Sequence, residues 1–499
     1  MHHALLFSVF VIASCGLAYE LIAAGLSSYL LGDSITQFST VIGVYLFAMG
    51  VGSWLSKYIA RDLIGRFIQI ELMVGLVGGF SAAFLFSIFT WMTAPFKLVL
   101  YLVVFLVGVL VGLEIPLVMR ILKRDLEFKE VVSQVLTFDY LGALVVSIML
   151  PLFLVPHLGM MRSGLMFGLM NAAVALWAMH LFRTQLAARR WLRSQCWAVI
   201  LILAGGFIGA GQLTSLSETH LYADEIIFTE SSPYQRIVLT RWRDDMRLFL
   251  NGNLQFSSQD EYRYHEALVH PGMAAMPWAR RVLVLGGGDG LAVREILKYP
   301  QVESVTLVDL DPAMTRLFAT APMLTTLNQN ALKSPKVKVI NADALTWLEN
   351  EKGYYDFVVV DFPDPANFSL GKLYSSAFYR LLEKRLSARG QMVVQSTSPL
   401  YARQSFWCVV TTLESAGFKT RPYHALVPSF GEWGFILAGR ETQPIPSSYP
   451  VATRFLNAET TPALFNFPAD MARVPSEANQ LNNQVLVRYF EQEWRKVIR

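Results

Sequence analysis

Cysteine and charged residues are both scarce in this sequence. Among its 499 residues there are three cysteines, and Asp, Glu, Lys and Arg together make up 16%. Cys15, Cys196 and Cys408 give neither a disulfide framework nor the paired spacing of a zinc knuckle. The net charge is only +4 and forms no basic stripe, so the sequence predicts no nucleic-acid partner.

Histidine is scarce as well, and its spacing argues against a metal site. His265 and His270 lie five residues apart, whereas two zinc ligands on one helix face lie four apart, so the second ring would point away. We therefore expect no metal.

Apolar residues are abundant, at 54%, and most of the excess lies before about residue 216. Several runs reach the roughly 20 apolar residues that cross a bilayer. A lipoprotein signal ending at Cys15 is an alternative for the first run, but hydrophobicity continues past that cysteine. Residues 1–216 are thus predicted to form a helical transmembrane domain of about seven spans, at 5–30, 37–56, 67–91, 97–119, 134–156, 160–182 and 196–215.

Basic residues indicate the orientation of these spans. Lys57, Arg120 and Arg190 lie in the loops after the second, fourth and sixth spans, and the positive-inside rule places such loops in the cytoplasm. An odd number of spans then puts the rest of the chain on the other side.

Three acidic residues, Glu20, Glu114 and Asp139, lie inside apolar runs. An ionisable group there is costly and usually faces a bundle interior or a polar cavity. Either they form a path for a cation, as in a carrier or sensor, or they brace helices through hydrogen bonds.

The rest of the sequence is typical of a soluble α/β protein. Residues 217–275 alternate like short strands and predict a small β subdomain. Over 276–440 strands alternate with helices, which predicts a doubly wound, Rossmann-like parallel sheet. Residues 441–499 form a C-terminal extension, rich in proline at first and ending in an amphipathic segment.

A glycine-rich turn, Gly286–Gly290, follows the first strand of this sheet and opens a helix. Glycine there lets the backbone approach a ligand closely. Asp309 ends the next strand, where a carboxylate can accept both ribose hydroxyls. Asp289 lies where the pyrophosphate of NAD would lie, so the turn favours a nucleoside with a cationic ligand.

Five aspartates follow strand ends, and ligands in this fold bind beyond the carboxyl ends of strands. We expect one crevice, and because no cluster of Lys or Arg matches them, a polycationic substrate. Helix capping is the alternative for any single one. The five are Asp289, Asp309, Asp343, Asp361 and Asp364.

These residues stand in ordered motifs that resemble those of the spermidine synthases, over about residues 225–440. The N-terminal half is similar to the membrane region attached to some bacterial members. The motifs are Tyr234-Gln235, Asn251–Gln255, Asp260–Glu266, Gly286–Gly290, Val308–Asp311, Asp343-Ala344 and Asp361–Pro365.

The resemblance implies a class I methyltransferase-like fold and a reaction. An aminopropyl group would pass from decarboxylated S-adenosylmethionine to putrescine or a related amine, giving spermidine and methylthioadenosine, with no further cofactor. It implies a nucleoside site, an amine site and a general base. The implied nucleoside site consists of Gln235, Gly286, Asp309, Asp343 and Ala344. The implied amine site consists of His265, Asp289, Asp364 and Trp433, and the implied general base is Asp361.

Several points stay open at this stage. Phe362 and Pro363 replace the usual small hydroxyl residues between the paired aspartates, which leaves the amine acceptor undefined. A methyltransferase that uses S-adenosylmethionine shares the Gly-rich turn and Asp309. The expected location is the bacterial inner membrane, in contact with lipid. The side of the membrane on which the catalytic half lies is open, because the odd number of spans places it outside, whereas its nucleoside substrate is made in the cytosol. Assembly into a homo-oligomer is open as well.

Overall fold

The computed structural model describes residues 2–31, 34–91, 96–123, 127–186, 189–222, 224–442 and 444–497. The chain divides into two compact units, Met1–Glu225 and Ile226–Arg499.

The first unit is helical. By length and composition, six stretches of its described residues are long and apolar enough to cross a bilayer, and one of them, Phe128–Leu181, contains two helices. This is compatible with membrane association. The helices are α1 (His2–Leu31), α2 (Ser34–Leu55), α3 (Leu63–Trp91), α4 (Phe96–Leu122), α5 (Phe128–Met149), α6 (Val155–Leu181) and α7 (Arg189–Leu221).

The junction between α5 and α6 is irregular. A π-helical segment, Leu150–Leu154, joins the two helices, and Gly159 leaves helical geometry at φ 75° and ψ 168°. Glycine accepts this left-handed φ without the steric penalty that a Cβ would cause.

The helix α6 runs antiparallel to α1. Cys15 of α1 faces Phe167, and Gly25, further along α1, faces Met160, so residue numbers fall in α6 as they rise in α1. Ser14 of α1 contacts α5 through a hydrogen bond to the Gly142 carbonyl oxygen.

The second unit begins with a four-stranded sheet in the order β1-β2-β3-β4. Asn251 and Gly252 both have positive φ, which forms the tight turn between its last two strands. The strands are followed by a helix whose residues face the main sheet. These elements are β1 (Glu225–Ser231), β2 (Arg236–Trp242), β3 (Asp245–Leu250), β4 (Asn253–Ser257) and α8 (Glu261–Ala274).

The main sheet has seven strands in the order β10-β11-β9-β8-β5-β6-β7. The five strands from β9 to β7 are parallel, and β11 and β10 add an antiparallel edge. The strands are β5 (Arg281–Gly286), β6 (Ser304–Asp309), β7 (Val337–Asn341), β8 (Tyr355–Asp361), β9 (Leu386–Gln395), β10 (Lys419–Val427) and β11 (Gly431–Gly439).

Helices cover both faces of this sheet, which buries the apolar residues of β5 and β8 completely, as in a doubly wound α/β fold. They are α9 (Leu291–Leu297), α10 (Pro312–Thr320), α11 (Pro322–Leu327), α12 (Ala344–Asn350), α13 (Phe368–Gly371), α14 (Ser376–Glu383), α15 (Arg403–Ser415), α16 (Thr461–Leu464) and α17 (Val485–Val497).

The C-terminal extension packs on the rest of the second unit. The buried Glu266 carboxylate of α8 accepts hydrogen bonds from the backbone N–H groups of Arg454, Phe455 and Leu456. Glu493 of α17 accepts two backbone N–H groups at the start of α15. The amphipathic last segment is thus buried against its own domain.

Candidate active site

The glycine-rich turn lies where the backbones of two neighbouring strands come closest. A Cβ at Gly286 would lie 2.2 Å from the backbone oxygen of Asp361, and one at Gly288 would lie 2.6 Å from the Asp309 carboxylate. Gly286, Gly287 and Gly290 all have positive φ. Only glycine therefore allows the turn to pass between these two aspartates.

Asp309 is fixed at the end of β6 by backbone groups. One carboxylate oxygen accepts the Gly288 N–H (3.0 Å), and the other accepts the Asp311 N–H (2.8 Å). Burial raises the pKa of Asp309 to about 6, and the two hydrogen bonds offset part of this rise. Each oxygen keeps a second lone pair, so the carboxylate can still accept ribose hydroxyls.

Gln235 reaches the same strand end through a residue that the sequence analysis did not select. Its amide donates to Asp311 (2.9 Å), and the Ser232 hydroxyl donates to the same carboxylate oxygen (2.7 Å). Asp311 also caps α10 by accepting the Ala313 N–H. Its sequence signal is an Asp directly before a Pro at a helix start, a common N-cap pattern.

Asp361 ends β8 and is half-buried. The Tyr264 hydroxyl donates to it at 2.6 Å. Burial raises the pKa of Asp361 to about 6, while the nearby His265 charge and the Tyr264 bond hold it lower than burial alone would. Tyr264 was quoted with its motif in the sequence but given no role, because nothing in the spacing says that its ring points at Asp361.

His265 is held on its other side by an ion-pair network. Its Nδ1 bonds Glu261 (2.7 Å), and Arg294 binds both oxygens of Glu261 (2.8 and 2.9 Å). Burial lowers the pKa of His265, but Glu261 outweighs it, so the pKa is raised. His270 bonds Glu295 and Tyr299 instead, so the two histidines face different partners.

Asp289 lies in the turn and accepts a hydrogen bond from the Leu291 N–H at the start of α9 (2.9 Å). Burial raises its pKa, and the positive charge of His265 partly offsets this. The three side chains of Asp289, Asp361 and His265 are close enough that the charge of each affects the pKa of the others.

One carboxylate oxygen of Asp364 accepts a hydrogen bond from the Thr397 hydroxyl (3.2 Å), and the other is buried and has no hydrogen-bond partner among the described residues. Burial raises its pKa to about 7. Gln395, which the sequence analysis did not select, contacts Asp364 and accepts the indole N–H of Trp433 (3.2 Å). Trp433 therefore lies beside the paired aspartates.

Asp343 stands apart from the other four aspartates. It caps α12 and forms an ion pair with Lys372 (2.7 Å). Burial opposes this, but the Lys372 and Thr346 bonds lower its pKa. One lysine thus pairs with one of the five carboxylates, for which the sequence shows no matching cluster of Lys or Arg. No residue spacing predicts this contact. Ala344, the next residue, is buried at the start of α12.

Phe362 does not line the paired aspartates. Its ring is buried below the turn, against Tyr374 and Phe378, because side chains alternate across a strand end. Pro363 is exposed. The aromatic substitution therefore changes the core under the site rather than its wall.

A hollow lies elsewhere in the second unit, away from the aspartates. It measures about 610 Å³, is shallow, and is lined by Tyr354, Leu386, Ser387, Ala388 and Arg440. These residues lie at the opposite ends of the strands from the aspartates, where ligands of this fold do not bind.

Comparisons with known proteins identify the family of the chain. The spermine/spermidine synthase domain family matches residues 261–448. Polyamine aminopropyltransferase 2 of Ralstonia nicotianae is 59% identical over 99% of both chains, and the polyamine aminopropyltransferase of Leptospira interrogans is 53% identical over 100% of both. A spermidine synthase solved with the transition-state analogue AdoDATO is 24% identical, with a TM-score of 0.46, over 49% of this chain and 86% of that one.

The similarity to these relatives covers the helical unit as well as the catalytic one. The Mycobacterium tuberculosis polyamine aminopropyltransferase, at 38% identity, still matches 98% of this chain and 96% of its own. From full-length similarity at this level we conclude that the chain belongs to the polyamine aminopropyltransferase family and is a transferase of that kind.

Proposed function

We propose that the enzyme transfers the aminopropyl group of decarboxylated S-adenosylmethionine to putrescine or a related amine, giving spermidine and methylthioadenosine. The observation that carries the proposal is a buried oxygen of Asp364 that has no hydrogen-bond partner among the described residues, on a carboxylate close enough to Tyr264 to affect its pKa, as Asp361 also is. A buried carboxylate oxygen without a donor is costly, and an ammonium group would satisfy it.

The nucleoside is proposed to lie over the glycine turn. Asp309 would accept the ribose hydroxyls, with Gln235 held beside it by Asp311. Gly286 lets the turn approach the ligand. Asp343 and Ala344 would receive the adenine, in which case the adenine amino group would share Asp343 with Lys372.

The amine is proposed to lie between Asp364 and Asp289, with the Trp433 ring near its alkylammonium chain. The bond to Glu261 raises the pKa of His265, and the protonated form of the ring has no lone pair with which to accept a hydrogen bond from an ammonium group. We infer that His265 acts instead through its charge, which offsets part of the rise that burial causes in the pKa of Asp289 and of Asp361.

Asp361 is proposed as the general base. A pKa of about 6 keeps it mostly ionised near neutral pH while leaving it basic enough to accept a proton. The amine nitrogen attacks the propyl carbon next to the sulfonium, and the C–S electron pair returns to sulfur, which leaves as neutral methylthioadenosine. The proton of the attacking nitrogen passes to Asp361. The site's contribution is alignment of nitrogen, carbon and sulfur.

The helical unit is proposed to span the bacterial inner membrane seven times. The stretch Phe128–Leu181 would be about 80 Å long as one straight helix, far more than the roughly 30 Å of a bilayer core. The chain leaves helical geometry at Gly159, within this stretch, which supports two crossings.

The direct test offers the purified full-length enzyme two nucleosides, each with putrescine. Decarboxylated S-adenosylmethionine should yield methylthioadenosine, whereas S-adenosylmethionine should yield no S-adenosylhomocysteine. The opposite pattern would establish a methyltransferase. No product with any diamine would leave a carrier or sensor as the remaining function.

A further inference from the structure

Asp311 lies between the end of β6 and the start of α10 and is 1% exposed. One of its carboxylate oxygens accepts the Ala313 N–H (2.9 Å), which caps α10. The other oxygen accepts two donors from the turn between β1 and β2, the Ser232 hydroxyl (2.7 Å) and the Gln235 side-chain amide (2.9 Å). A helix cap needs only the first oxygen, so capping does not account for the contacts of the second.

The backbone of Asp311 joins the same turn to the glycine-rich turn. Its N–H donates to one oxygen of Asp309 (2.8 Å), and the other oxygen of Asp309 accepts the Gly288 N–H (3.0 Å). An unbroken series of hydrogen bonds therefore runs from Gly288 through the two aspartates to Gln235. The position of the Gln235 amide is thus tied to that of the Asp309 carboxylate.

The contact with Asp311 also determines the direction of the Gln235 amide. A carboxylate accepts hydrogen bonds, whereas a glutamine amide has a donor end, Nε2, and an acceptor end, Oε1. Because the Asp311 oxygen takes the Nε2 end, the Oε1 end points away from it. Gln235 is half-buried rather than enclosed. The side chain is therefore set to offer an acceptor, and not a donor, to a ligand beside Asp309.

We propose that Asp311 is a positioning residue for the nucleoside, which turns the Gln235 amide so that Oε1 accepts a hydrogen bond from a ribose hydroxyl. This rests on the proposed function, which places the ribose at Asp309. A ribose presents hydroxyl donors, and Gln235 adds an acceptor to those of Asp309. A site built to accept from a hydroxyl discriminates against a ligand that lacks it. The small sheet thus contributes to nucleoside specificity through its first turn.

The test measures the Kd of methylthioadenosine by isothermal titration calorimetry with the full-length enzyme in detergent, so it needs no turnover. Asp311→Asn keeps the size of the side chain and remains a good cap for α10. With its oxygen on the helix, its NH₂ group meets Gln235, whose amide must turn and present Nε2 to the ribose. We expect the Kd to rise roughly tenfold, because a hydrogen bond is lost and one donor then faces another.

A double-variant cycle separates this role from a structural one. In Gln235→Ala, the further change Asp311→Asn should leave the Kd where Gln235→Ala puts it, because no amide is left to turn. The matched control is Glu230→Gln, since Glu230 pairs with Arg316 (2.6 Å) between the end of β1 and α10. Its Kd should equal that of the wild type. An unchanged Kd in Asp311→Asn, or an equal rise in the Gln235→Ala background, would overturn the proposal.

Deoxy analogues of the ligand test the assignment to the ribose. With 2′-deoxy- or 3′-deoxy-methylthioadenosine, the tenfold difference between wild type and Asp311→Asn should disappear. Its persistence with both analogues would overturn the proposal. Failure of the proposed reaction gives a different result: the expected Asp311→Asn effect on the Kd, without aminopropyl transfer to any diamine, contradicts the reaction alone. Normal transfer with an unchanged Kd in Asp311→Asn contradicts the positioning role alone.

Discussion

At the scale of single residues, Tyr264 sets the ionisation of the proposed base. Its hydroxyl favours the carboxylate form of Asp361, whose pKa burial raises to about 6. Activity that needs the carboxylate is lost as pH falls through this pKa. In Tyr264→Phe the pKa rises further, so we expect the acidic limb of kcat/KM to move about one unit to higher pH.

The control for this shift is Tyr379→Phe, which removes a buried hydroxyl that has no hydrogen-bond partner among the described residues. Its pH profile should match that of the wild type. A Tyr264→Phe profile with lower activity at every pH but an unmoved limb would mean that Tyr264 has only a packing role.

Two aspartates should affect stability with opposite signs. Burial raises the pKa of Asp364 from 3.8 to about 7, so its contribution to stability is present below pH 4 and lost as pH rises through 7. Burial also opposes ionisation of Asp343, but Lys372 outweighs it and lowers that pKa, so its contribution is present above its ordinary pKa.

At pH 8, Asp364→Asn should therefore raise the free energy of unfolding, on the order of 1 kcal/mol after allowance for solvent, while weakening amine binding. Asp343→Asn should lower the apparent melting temperature at the same pH. The measurement is thermal unfolding of the ligand-free enzyme at pH 8. Shifts of the same sign in both variants would show that the assigned charge environments are incorrect.

What the sequence could predict at this scale follows from strand polarity. Asp309 and Asp361 end apolar strands, and parallel strands align such ends. Tyr264, Asp311 and Gln395 carry no periodic signal, because their importance depends on which way one side chain points. Lys372 lies in a short 3₁₀ turn after α13, and its approach to Asp343 is a tertiary contact with no local pattern.

At the scale of elements, the α5–α6 junction depends on Gly159. A Cβ there meets nothing within 4 Å, so the cost of a substitution comes from its φ of 75° alone. Gly159→Ala should destabilise the protein by roughly 1–3 kcal/mol. Gly205→Ala in α7 has equal space without a positive φ and should be neutral or stabilising.

Apparent melting temperatures of the two variants in detergent test this. A drop for Gly159→Ala with none for Gly205→Ala is the expected outcome. Equal effects in both would mean that the junction tolerates a side chain, and the case for a break there would fail.

Elements were predictable where their patterns were strong. The five parallel strands read as short apolar runs, and the structure has a strand at each. The antiparallel strands β10 and β11 were not predicted, because histidine, proline and glycine interrupt their apolar residues. The helices of the first unit extend beyond most predicted spans, since polar residues at their ends continue the helix after the apolar run stops.

At the scale of the whole molecule, the number of crossings has a direct consequence. Between a point after Ile59 and a point after Tyr222 lie five proposed crossings, so topology reporters fused there should lie on opposite sides of the membrane. The basic loop with Lys57 is expected in the cytoplasm. Reporters on the same side would mean that Phe128–Leu181 crosses only once.

Composition alone separates an apolar half from an α/β half, because a bilayer and a soluble core demand different residue patterns. It does not predict that the Tyr19 ring of α1 packs against Gly78 of α3. That contact depends on how the two helices pack, which no local pattern specifies.

The central claim is transfer of an aminopropyl group with Asp361 as base. The most direct measurement supplies decarboxylated S-adenosylmethionine labelled in its propylamine chain, with putrescine, to wild type and to Asp361→Asn. Wild type should form labelled spermidine and methylthioadenosine in equal amounts, and Asp361→Asn should lower kcat by about 10²–10⁴. Methylthioadenosine without labelled spermidine, or an unchanged kcat in Asp361→Asn, would contradict the account.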